Sequence, residues 1–250
     1  MDDGVTFNRA AHTELRGLAK YRCKLAHPPT LANLTNFEGR TSSLHCPRVS
    51  TSLVYRSALG YELLMRALYG RHYAARMGAV AGQVPDGASV LELCCGPGTL
   101  YGRYLRAHAG GYIGVDINER FVEQLRRRGV DARRMDLAGG HEPLPAADVA
   151  IMQASLYHFL PDAAGIVDRM LGAARDRVIV SEPVRNLATS ALPGIALLGR
   201  RAADPGVGSH AERFTEATLD ELMGRYRERM LTAFPIPGGR EKVYVLSAGK

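Results

Sequence analysis

No apolar run in the chain approaches the roughly 20 residues needed to span a bilayer. The N-terminus, with Asp2, Asp3 and Arg9, also lacks the apolar stretch of a secretory signal. A membrane-embedded or exported protein is therefore not expected, and the reading is cytoplasmic. Cysteine is equally scarce. The four present are Cys23, Cys46, Cys94 and Cys95. An adjacent pair cannot staple distant elements, so free thiols are expected rather than a disulfide framework. Cys23, His27, His45 and Cys46 contain metal-binding side chains, but their outer spacings match no common finger and no metal site is expected.

What is present is an ordinary globular balance, 46% hydrophobic and 23% charged over 250 residues, enough to bury one sizeable core. The formal charge of +7 would suit a phosphate-rich partner. The tightest basic cluster, however, is Arg126 to Arg128 with Arg133 and Arg134, at the end of an expected helix and in the next strand. A helix C-terminus attracts cations through its dipole, so this placement already has a structural cause.

Residues 1–52 show no sustained period and read as a loosely ordered extension. Residues 53–84 read as a helical cap segment, because Leu64, Leu68, Tyr73, Met77, Val80 and Ala81 recur at helical spacing, interrupted by Gly70. After the Pro85-Asp86-Gly87 turn, residues 85–250 alternate strand and helix. Strands are expected at Ser89 to Cys94, Tyr112 to Asp116, Val130 to Asp136, Asp148 to Ala154 and Arg177 to Glu182. Helices are expected over Leu100 to Ala107, after Asn118 and after Asp162. An insertion, 183–214, interrupts the alternation. A helix capped by Thr215 follows, then a hairpin of Met230 to Ile236 and Lys242 to Ser247. Parallel strands need long crossovers, so the pattern predicts an α/β, doubly wound sheet with an antiparallel C-terminal hairpin strand.

The candidate chemistry lies at the carboxyl ends of the early strands. Val90-Leu91-Glu92-Leu93-Cys94-Cys95-Gly96-Pro97-Gly98-Thr99 is a buried strand entering a glycine turn, where backbone can approach a ligand closely. Asp116 ends the second strand, where a carboxylate can take hydrogen bonds from both hydroxyls of a ribose. Asp136 ends the third, placed to meet an adenine amino group. Open α/β sheets bind ligands along this edge.

On these residues the chain, over Tyr61 to Lys250, resembles a class I S-adenosylmethionine-dependent methyltransferase. The family pattern of an acidic residue followed by spaced glycines resembles Glu92-x-Cys94-x-Gly96-x-Gly98, with Asp116 and Asp136 at its second and third acidic positions. The resemblance implies a Rossmann-like seven-stranded sheet and S-adenosyl-L-methionine as cofactor, held by Glu92, Cys94, Gly96, Gly98, Asp116, Ile117, Asp136, Leu137, Gln153 and Tyr73. Cys94 stands where the family has its first glycine. Its Cβ favours negative φ, so a locally different turn is expected there. A nicotinamide-binding domain would instead want glycine where this chain has Tyr101, and would not end in a hairpin.

Methyl transfer is an in-line displacement, and a protonated acceptor needs a base. His158, in the turn after the fourth strand, is the first candidate, with Glu182 and His210 as alternatives. No Asn-Pro-Pro-Tyr or Asp-Pro-Pro-Tyr follows that strand, and no RNA-binding module is visible. The cap segment and the insertion, with Arg185, Arg200 and Arg201, resemble the covers that small-molecule methyltransferases fold over an acceptor. A small-molecule O or N acceptor is therefore the first reading. An RNA methyltransferase, or a non-catalytic member binding cofactor or a protein partner, are the others. The sequence carries no signal for oligomeric state.

Overall fold

The computed structural model describes residues 58–139, 142–184 and 213–249, all within one compact unit, Val49–Lys250. The expected extension 1–52, most of the insertion 183–214, and with it His210, Arg185, Arg200 and Arg201, lie outside the described residues.

Helix α1 (Ala58–Tyr69) and helix α2 (Tyr73–Ala81) flank a single 3-10 turn, Gly70–His72. The break falls at Gly70, whose φ of 53° is left-handed, a conformation glycine adopts without steric cost. Strand β1 (Ser89–Leu93) follows, then β2 (Gly111–Asp116), α3 (Glu119–Arg127), β3 (Asp131–Arg134) and β4 (Ala147–Gln153). Helix α4 (Ala163–Ala173), β5 (Ala174–Pro183), α5 (Glu216–Gly224), β6 (Met230–Pro235) and β7 (Glu241–Ser247) complete the order. Helix starts are where the sequence signalled them. Asn118 accepts from the Arg120 N–H, Asp162 from the Gly165 N–H, and Thr215 forms a reciprocal cap with Thr218.

The strands form one seven-stranded sheet in the order β3-β2-β1-β4-β5-β7-β6. β1 to β5 are mutually parallel, whereas β7 runs antiparallel to β5 and β6 antiparallel to β7. Side chains alternate across the pleat. Leu91 and Leu93 enter the core shared with Ile166, Met170 and Leu219, while Val90 enters the one on the other face with Tyr73, Val80, Ile179 and Val243.

Three elements depart from expectation. The helix expected over Leu100 to Ala107 starts at Thr99 and widens over Tyr101–Leu105, where the Arg106 N–H reaches back five residues to the Tyr101 carbonyl. β3 stops short of Asp136 because that carboxylate accepts from the N–H groups of Ala138 and Gly139 and turns the chain away. β5 starts earlier than expected, at Ala174, and pairs there with Ala147. Among the described residues no helix is long and apolar enough to cross a membrane, and no cluster of three metal-ligating side chains occurs.

Candidate functional site

The turn leaving β1 is built from left-handed residues: Cys94 has φ 54°, Gly96 55° and Gly98 71°. The expected local difference at Cys94 is therefore corrected, because the cysteine itself adopts the conformation a glycine would take. Neighbouring bonds hold it there. The Cys95 N–H donates to the Val115 carbonyl at 3.0 Å, tying the turn to β2, and the Gly98 N–H donates to the Cys95 carbonyl at 3.0 Å. Tertiary bonding thus overrides the intrinsic preference of a residue bearing a Cβ.

Asp116 ends β2 nearly buried and joins two loops. One carboxylate oxygen accepts from the Gly96 N–H at 2.8 Å, and the other from the Asn118 N–H at 2.8 Å. Burial nevertheless moves its pKa upward against those two bonds. A carboxylate offers about four lone-pair sites, so acceptor capacity remains. The next residue, Ile117, leaves its large apolar side chain 40% exposed. Asp136 is exposed and caps its own turn, while Leu137 is packed in the core.

Glu92 has a partner that the sequence reading did not name. The Tyr112 hydroxyl donates to it at 2.7 Å, and burial pushes its carboxyl up to about 7 despite that bond. Gly114 lies opposite Glu92 in the β1–β2 register. A Cβ at Gly114 would meet the Cys95 sulfur at 2.9 Å and the Tyr112 hydroxyl at 3.0 Å. Only a residue without a side chain leaves Tyr112 this path, and Tyr101 stacks on the Tyr112 ring at 4.0 Å.

Tyr73 is buried on α2, its hydroxyl beside Thr99 of the glycine turn but without a hydrogen bond of normal geometry. Gln153, at the end of β4, donates to the Arg76 carbonyl at 3.4 Å. Both contacts place α2 over the ends of β1 and β4.

The ends of β4, β5 and β7 hold a second set of polar groups. Ala154 is the other non-glycine residue with a left-handed φ among the described residues, 53°, and its N–H donates to the Ser181 carbonyl at 2.7 Å. Glu182 is fully buried. One of its oxygens accepts from the N–H groups of Ser155 at 3.1 Å and Leu156 at 2.9 Å; the other has no hydrogen-bond partner. Burial raises its carboxyl to about 8, with the Glu241 charge pushing the same way and Arg213 opposing. The turn so fixed carries Tyr157 and His158, whose rings lie 3.9 Å apart. Arg213 places its guanidinium 3.4 Å from the Tyr157 ring centroid.

Sequence reasoning missed the neighbouring ion pair. Arg76 on α2 donates to Glu241 at 2.5 Å, both groups buried, Ser181 donates to the other Glu241 oxygen at 3.1 Å, and the Tyr69 ring lies 4.5 Å from the guanidinium. One signal was available: Arg76 shares a helical stripe with Tyr69, Tyr73 and Val80, where only apolar residues belong.

The structure therefore brings Glu92, Cys94, Gly96, Gly98, Asp116 and Ile117 to one edge, with Tyr73 and Gln153 above it, His158 on the adjoining turn and Glu182 of β5 holding that turn. Asp136 stands just beyond the end of β3, and Leu137 buries its side chain in the core while its carbonyl accepts from Arg169 at 2.7 Å. Residues 90–176 match the model of a family described as a methyltransferase domain. Over 106 residues, 41% of this chain, the sequence is 37% identical to an uncharacterised protein of a Streptomyces fradiae transposon, of which the match spans 26%. Among solved structures, magnesium protoporphyrin IX methyltransferase from Synechocystis with bound S-adenosylhomocysteine superposes with a TM-score of 0.52 at 18% identity, over 77% of this chain and 95% of that one. Human N-acetylserotonin methyltransferase in complex with S-adenosylmethionine gives 0.53 at 17% identity, over 79% and 58%.

Proposed function

We propose that the chain methylates an oxygen or nitrogen of a small-molecule acceptor, using S-adenosylmethionine as donor; the match of residues 90–176 to a methyltransferase-domain model and the fold shared with a solved methyltransferase support this reading. The observation that carries the reading is the bond from Gly96 to Asp116, which joins the turn of β1 to the end of β2 at the mouth of the sheet.

The residues fit the cofactor. The position a side chain would take at Gly96 is open space, with nothing within 4 Å, so a ligand can lie against the backbone there. Asp116 keeps lone pairs for ribose hydroxyls, and exposed Ile117 offers an apolar face to a purine. Glu92, Cys94 and Gly98 complete the turn, Asp136 is the candidate for the adenine amino group, and Tyr73 and Gln153 close the site from α2 and β4. When bound, S-adenosylmethionine supplies a methyl group activated by a sulfonium. The chain's own task is then to align the acceptor, exclude water and receive a proton. His158, on the turn pinned by Glu182, remains the first candidate for that proton.

Support for a small acceptor comes from the cap. α2 is fastened over the strand ends by the Arg76–Glu241 pair, and a lid held this close suits a compact guest. The neighbours named above act, by their names, on a porphyrin and on N-acetylserotonin. The test is transfer of labelled methyl from S-adenosylmethionine into a cell extract separated into small-molecule, RNA and protein fractions. Label in the small-molecule fraction is expected. Label in RNA, or none in any fraction, would overturn the acceptor reading.

A further inference from the structure

Among the described residues four buried carboxylates lie towards the carboxyl edge of the sheet: Asp116, Glu92, Glu182 and Glu241 at β2, β1, β5 and β7. Most of their capacity is spent internally. Asp116 holds the two loops, Glu92 takes the Tyr112 hydroxyl, and Glu241 takes Arg76 and Ser181. Glu182 differs. Two backbone N–H groups fix one oxygen, and hence the carboxyl plane, while the second oxygen is buried and unpartnered. Such a group costs stability unless something satisfies it, so it calls for a ligand or a function.

Among the described residues no cation hydrogen-bonds this oxygen. Lys242, the register partner of Glu182 on β7, turns its ammonium to Asp220 and Glu216. Arg76 belongs to Glu241, and Arg213 lies against Tyr157 while moderating the carboxyl's pKa. His158 sits on the turn that Glu182 pins. On the β1 side, burial raises the Cys94 thiol pKa, with the charges of Asp116, Glu182 and Glu92 adding to it, and Ser155 hydrogen-bonds that thiol. Ser155, whose N–H donates to Glu182, thus links this carboxyl to the glycine turn across the end of β4.

Resting on the cofactor reading above, we propose that the free oxygen of Glu182 is a fixed negative pole for the sulfonium, by which the site distinguishes S-adenosylmethionine from its product S-adenosylhomocysteine. The two ligands differ at the sulfur, cationic in the donor and a neutral thioether in the product. A carboxylate held in a dry site attracts the first and has no comparable hold on the second. Methyl transfer removes that positive charge, so the contact that gathers the donor loosens on the product.

The test is calorimetric titration of the whole chain with each ligand from pH 6 to 9. Burial raises the carboxyl to about 8, so the donor-to-product affinity ratio rises with pH towards that value; the sulfonium also lowers the α-amino pKa of the donor below that of the product, so the share belonging to Glu182 is the part of the pH dependence that its neutral variant removes. Glu182→Gln keeps an oxygen for the two N–H groups but removes the charge. It is expected to weaken donor binding by about 10-fold, leave product binding unchanged and reduce the pH dependence. A pH dependence of the ratio that is the same in Glu182→Gln as in the unmodified chain, or a variant that shifts both ligands equally, would overturn this inference alone. Failure of the unmodified chain to bind either ligand would overturn the cofactor reading as well.

Discussion

The two halves of the sheet's carboxyl edge use the same chemistry in opposite ways. At β2 and β3, Asp116 and Asp136 accept backbone N–H groups of loops that follow immediately, or of the neighbouring turn, and keep capacity towards solvent or ligand. At β5 and β7, Glu182 and Glu241 are submerged, and Glu241 is bonded across the fold to a helix far away in sequence. The first half shapes a surface that a ligand can meet. The second fastens the cap and holds charge in a dry environment, where each unpaired group is costly and each electrostatic contact is strong.

Breaking the buried half has the largest expected effect. Arg76→Met strands the Glu241 carboxylate, and denaturant unfolding should show a loss of about 3–5 kcal/mol. Pairing it with Glu241→Leu removes both charges and should restore most of that loss. If the double variant were no more stable than the single one, the cost would lie in packing rather than in an abandoned charge.

The rim half should respond through binding rather than through global stability. Asp116→Ala removes charge-assisted hydrogen bonds and should lower S-adenosylmethionine affinity by about 10 to 100-fold. Asp116→Asn, which retains one acceptor for the loop bonds, should fall between. An unchanged dissociation constant in calorimetry would remove Asp116 from the ribose site.

A pH series sharpens the contrast further. Burial lifts Glu92 from an ordinary 4.5 to about 7, so the folded state holds its proton more tightly than the unfolded state. The resulting stability is complete below the unfolded value and is lost as pH rises through the folded one. Thermal unfolding midpoints should therefore decline between about pH 5 and 7, and Glu92→Gln should make that decline shallower, leaving the share of Glu182, raised to about 8. A slope unaltered in the variant would assign it to other groups.

The smallest effect concerns the two left-handed turns. Ala154→Gly relieves a Cβ held at φ 53° and should stabilise the fold by about 0.5–1 kcal/mol, read from denaturant midpoints. A loss instead would show that the methyl group's packing outweighs its strain.

The rim half was legible in the sequence because its information is local. Glu92, Gly96, Gly98 and Asp116 lie on one strand, one turn and the next strand's end, and alternation with amphipathic helices fixes where those ends meet. The capped helix starts at Asn118, Asp162 and Thr215 were legible for the same reason. The conformation of Cys94 was not, since a steric rule for L-residues says nothing of the bond that Cys95 makes to β2. Nor was the partner of Glu92, which depends on the room Gly114 leaves between two strands. Arg76 and Glu241 lie 165 residues apart; the misplaced charge on an apolar stripe was visible, but nothing in the sequence said what would answer it.

The Arg76–Glu241 pair also has a consequence for how the domain is made. Arg76 leaves the ribosome long before Glu241, whose strand inserts between β5 and β6. Until β7 is synthesised, the cap has no counter-ion to settle on and β5 has an open edge, so that side of the nascent sheet stays unfinished longest.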